Sequence, residues 1–95
     1  MWISLDTAGS EGTEGGVIIA DEEYNGACRI TLEKCKRWYA ITCGVYGAMC
    51  HTAFTNADTY RSMYNDMKNE LQQFIDTETT EDEESDFYHR FCDKY

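Results

Sequence analysis

Asn25-Gly26 is the pair that most narrows how this chain can fold, because both residues tolerate the positive φ that a type I′ hairpin turn demands. Two β-prone runs flank it, Val17 to Tyr24 and Ala27 to Glu33. A two-residue turn sets Tyr24 against Ala27, Glu22 against Arg29 and Ile19 against Leu32. This register predicts a buried face of Val17, Ile19, Cys28, Ile30 and Leu32. Ile18, Ala20, Glu22, Arg29, Thr31 and Glu33 then share the other face.

Trp38 to Phe54 (WYAITCGVYGAMCHTAF) is the most apolar, aromatic and cysteine-bearing stretch, and it predicts a second hairpin. The chain reverses at Tyr46-Gly47 or, through a bulge, near Gly44. In the simple register Cys43 faces Cys50, close enough for a disulfide. Tyr39, Ile41, Cys43, Val45, Ala48, Cys50, Thr52 and Phe54 form the inner face. Trp38, Thr42, Met49 and His51 lie on the other, where they would line a ligand or partner surface.

Apolar residues at Tyr60, Met63, Tyr64, Met67, Leu71, Phe74 and Ile75 recur at spacings of three and four. They predict one amphipathic helix over about Asn56 to Asp76, packed on the apolar face of the sheet, with Thr55 and Asp58 as a capping box. The stretch 77–85 (TETTEDEES) reads as an acidic connection. Within it Thr80 and Glu83 form a second capping box, and Glu81, Asp82, Glu83 and Glu84 suit the positive end of a helix dipole. The same four acids are a candidate interaction segment. Phe87, Tyr88, Phe91, Cys92 and Tyr95 then predict a short closing helix that docks on its own domain or, alternatively, in a partner's groove.

Residues 2–5 are a short β-prone start, and residues 6–16 (DTAGSEGTEGG) read as a flexible, acidic, glycine-rich loop. No lysine follows the glycines, and Glu11 and Glu14 would repel a phosphate, so a P-loop is not read here. At 95 residues the chain is expected to form a single domain over 1–95. The expected class is α+β: an antiparallel sheet of four to five strands from two consecutive hairpins, then a long helix and a short one.

The sequence holds 18 Asp and Glu against 8 Lys and Arg, a net charge of −10. Such a surface disfavours nucleic acid and anionic membranes and suits a basic protein partner or self-association. No apolar run approaches the ~20 residues of a membrane span, and the start lacks the pattern of a signal peptide. A cytoplasmic protein with free thiols is therefore expected. The five cysteines include no CxxC pair; Cys43, Cys50, His51 and Cys28 lack zinc-site spacing, so no metal or cofactor is expected. Cys50 and His51, as strand neighbours, point to opposite faces and do not form a nucleophile–base pair. His89, beside Arg90, reads as a surface residue. The leading functional expectation is a non-enzymatic interaction or inhibitor (immunity-like) protein. The alternative is a small-ligand or metal-binding protein using the His51 face.

Overall fold

The computed structural model describes residues 1–95 as five antiparallel strands followed by two helices, an α+β fold. The strands β1 (Trp2–Ser4), β2 (Val17–Tyr24), β3 (Cys28–Lys34), β4 (Tyr39–Val45) and β5 (Met49–Thr55) lie side by side in chain order. Helices α1 (Tyr60–Asp76) and α2 (Glu81–Lys94) both pack on one face of this sheet, called inner below. No helix is long and apolar enough to cross a membrane.

Both hairpins carry one loop residue more than the simple register predicts. At the first, Asn25 (φ 52°) and Gly26 (φ 64°) adopt the expected left-handed conformations, and the Ala27 N–H donates to the Tyr24 carbonyl at 2.9 Å. Yet Tyr24 pairs with Cys28 rather than Ala27. The carbonyl of the extra residue, Ala27, instead accepts a hydrogen bond from Tyr46 N–H at the next turn, at 3.0 Å. At the second, Gly47 has φ 77° and Ala48 N–H donates to the Val45 carbonyl, as in a type II turn. That turn matches strand twist poorly, and Ala48 is added before pairing resumes at Val45 and Met49.

A one-residue shift exchanges the two faces of a strand. On β3 the expected inner residues Cys28, Ile30 and Leu32 are buried. Their partners on β2 are Tyr24, Glu22 and Ala20, not the predicted set. A bulge between Ile18 and Ala20 changes the phase again, so Ile18 is buried while Val17 and Ile19 are exposed. On β5 every side chain is displaced to the face opposite the expected one. Cys43 stands across from His51, and Cys50 across from Gly44. The Cys43–Cys50 disulfide geometry is thereby lost, and all five cysteines are free thiols.

The core joins Cys28, Ile30, Ile41, Cys43 and Ala53 of the sheet to Tyr64, Met67 and Leu71 of α1 and Phe91 of α2. The helical stripe expected from the sequence therefore faces the sheet. Polar bonds fix α1 at its margins: Tyr64 Oη donates to Glu22 at 2.6 Å, Lys68 Nζ to Glu22 at 2.7 Å, and Tyr24 Oη to Asp76 at 2.6 Å. Trp2 Nε1 donates to Gln72 at 2.9 Å and ties the edge strand β1 to the same helix.

Helix α1 begins at Tyr60, and Thr55 and Asp58 do not form a capping box. Asn56 Oδ1 accepts from the N–H groups of Asp58 and Thr59 at 2.9 and 3.1 Å, and this local bonding delays the helix. The Thr80–Glu83 box is present in both directions, at 3.2 and 3.1 Å. Residues 81–85 therefore belong to α2, and the acidic connection contracts to residues 77–80. Phe91 is buried against Phe87, Tyr95 and His51, so the aromatic closing helix docks on its own sheet.

Candidate interaction surface

The outer face of the sheet has two halves. Over β2 and β3 it is covered by residues 6–16, whose composition suggests a flexible loop but which fold back as a strap. Gly9 N–H donates to Ile18, Ile18 N–H to Ser10, and Leu5 N–H to Asp21, each within 2.9 Å, and Glu11 bridges Val17. Beneath the strap, Glu33 is only 1% exposed. Its carboxylate accepts the N–H groups of Gly16 at 2.8 Å and Glu14 at 3.3 Å. The glycine-rich stretch thus does hold an anion in its amides, and that anion is the protein's own side chain.

Beside it lies a second buried carboxylate. Asp21, 3% exposed, accepts Arg29 Nε at 2.9 Å, a terminal Arg29 nitrogen at 2.6 Å, Thr31 Oγ1 at 2.9 Å and Thr7 Oγ1 at 2.7 Å. Burial alone would raise its pKa, but the hydrogen bonds from Arg29, Thr7 and Thr31 outweigh it and hold the group below the usual carboxylate value. Arg29 is thereby fixed on the outer face as one wall of an open groove of about 560 Å³, between the strap and the β4–β5 turn. Thr7, Ser10, Thr31, Thr42 and Cys50 also line it.

Beyond the groove, over β4 and β5, two aromatic rings stand at the surface above a buried Ala40. Trp38 is 47% exposed and Phe54 55%, and the two rings meet edge to face with centroids 6.2 Å apart. Ala40 pairs with Phe54, and Thr42 with Thr52, their hydroxyls 3.1 Å apart. Residues 38–57 contain no Asp, Glu, Lys or Arg, so this area is an uncharged patch on a chain of net charge −10.

Of the four residues expected to share a face, Trp38 and Thr42 remain on the outer face, whereas Met49 and His51 lie on the inner one. The His51 ring meets Phe91 edge to face at 6.3 Å, and its buried Nε2 has no hydrogen-bond partner in the protein. Phe54, Thr52 and Cys50 take the vacated outer positions. Sequence reasoning missed them because it counted the second turn one residue short. The positive φ at Gly47, in the third place of its turn, is the feature that requires the longer loop.

Glu81 to Glu84 form the first turn of α2, and Glu83 is committed to the Thr80 backbone, while Glu81 and Asp82 are exposed. His89 is exposed, its Nδ1 2.9 Å from the Ser85 carbonyl oxygen. Burial pushes the Cys43 thiol up to about 12 and Cys28 up to about 11, so neither supplies a thiolate near neutrality. No three His, Cys, Asp or Glu side chains are grouped so that they could hold a metal ion. Comparison with protein-family models, with curated proteins and with solved structures gives no match.

Proposed function

We propose that this chain is a non-enzymatic, cytoplasmic interaction module that docks a protein partner on the β4–β5 half of its outer face. The observation that carries this reading is the exposed Trp38–Phe54 pair on an uncharged stretch of sheet. Aromatic anchors supply most contact energy when a partner excludes water around them. The surrounding net charge of −10 favours a partner with a basic rim, as an inhibitor or immunity-like protein would meet at a basic active site. Such a complex forms faster at low salt. The alternative, a small-ligand or metal site around His51, loses support because that ring is packed under α2 against Phe91.

The test is capture of partners from a lysate of the native host by the wild type and by a Trp38→Ala/Phe54→Ser variant, at low and high salt. The reading expects a specific band with the wild type, weaker in high salt and absent with the double variant. Equal capture by a folded double variant, or no capture at all, removes it.

A further inference from the structure

We infer that β5 pairs with β5 of a second copy of this chain, joining two five-stranded sheets edge to edge. The two edges of the sheet are unlike. β1 is three residues long and runs into Asp6, which are features that protect an edge from pairing. β5 is seven residues long, pairs only with β4, and has no Asp, Glu, Lys, Arg or Pro. Its outer edge therefore carries the backbone N–H and C=O groups that β4 does not take, and the strand has none of the charges or prolines that block pairing.

Charge selects the occupant. Two copies bring net charges of −10 each, and most approaches set acidic groups against one another. Pairing of β5 with β5 aligns the segment 49–55 with itself, and no charged side chain of one strand faces another on its partner strand. A basic partner gains nothing at an edge without carboxylates. An antiparallel strand pair is self-complementary about a two-fold axis. All seven residues pair when that axis passes through Thr52. Thr52 then meets Thr52, Cys50 meets Phe54, and His51 meets Ala53 of the other copy. The axis stands perpendicular to the sheet, so both Trp38–Phe54 patches face the same way. This inference rests on the interaction reading above and doubles its docking surface.

Sedimentation velocity of the reduced full chain over a dilution series tests it, together with maleimide labelling of Cys50 mapped by peptide mass spectrometry. The expected wild-type species is twice the monomer mass of 11.0 kDa. Thr52→Lys and Thr52→Glu should each return it to the monomer mass with the far-UV spectrum unchanged. Cys50, exposed in the single chain and covered by Phe54 in the pair, should label several-fold faster in those variants. Cys50→Lys repeats the test should the Thr52 variants fail to fold. A wild type that is monomeric at every concentration overturns the pairing, as does a dimer that survives both signs of charge at Thr52. A monomer that still captures a partner through Trp38 and Phe54 removes the pairing and leaves the docking reading. A β5-dependent dimer that captures nothing else does the reverse.

Discussion

Gly16 N–H donates to Glu33 at 2.8 Å from a position where a side chain has no room: a Cβ there would lie 2.7 Å from the Lys34 carbonyl oxygen. The strap and the buried carboxylate therefore depend on each other. Gly16→Ala should destabilise the fold by about 1–3 kcal/mol through overpacking against backbone. Glu33→Ala should cost a similar ~1–3 kcal/mol, because the Glu14 and Gly16 amides lose their acceptor. Urea unfolding with a fixed slope would measure both, and a neutral Gly16→Ala would show that the strap does not bear on the sheet.

Asp21 and Arg29 make stability depend on pH. The folded Asp21 carboxyl lies below its ordinary value of 3.8, so it contributes stability that is present above that pH. The contribution is lost as pH falls through the lowered folded value. Asp21→Asn should therefore be less stable than the wild type near neutrality, by about 1–3 kcal/mol for bonds to a charged group. The gap should close in strong acid, and parallel stability curves at all pH values would contradict this account.

Thr80 Oγ1 accepts from Glu83 N–H while Glu83 accepts from Thr80 N–H, so removing the hydroxyl isolates one half of the box. Thr80→Ala is expected to cost about 1 kcal/mol. Thermal unfolding followed by circular dichroism should show a lower Tm with the same starting helicity.

His51 offers a test of the opposite sign. Its buried Nε2 lacks a partner, and an unsatisfied polar atom is a liability that an apolar side chain does not carry. His51→Leu should be at least as stable as the wild type in denaturant. A loss of more than about 1 kcal/mol would mean that the imidazole makes a needed interaction, such as its edge contact with Phe91.

The sequence showed the elements and missed the phase of two strands. Alternation, the Asn25-Gly26 pair and the stripe from Tyr60 to Ile75 are local features, and they sufficed for an antiparallel sheet with the long helix on one face; the face taken by the closing helix was not legible in them. The Thr80–Glu83 box was legible for the same reason. Register depends on loops, and Ala27 and Ala48 carry no mark that they lie outside the ladder. That single residue moved Phe54 outward and His51 inward, and with them the composition of the candidate surface. The strap was illegible because its anchor, Glu33, follows the loop by a whole hairpin. Nothing in a run of Gly, Glu and Thr announces a buried carboxylate that far downstream. Arg29 found Asp21 rather than Glu22 through the same shift of register.

The bond from Tyr46 N–H to the Ala27 carbonyl has a dynamic consequence. Tyr46 Oη also reaches Glu23 at 2.6 Å, so the second turn is fastened to the first hairpin at two points. Adjacent turns in a meander usually fray independently, each opening to solvent on its own. Here the Tyr46 amide is released only when the two turns separate, so its hydrogen exchange reports their joint opening. The tips of the two hairpins are therefore expected to open as one cooperative unit.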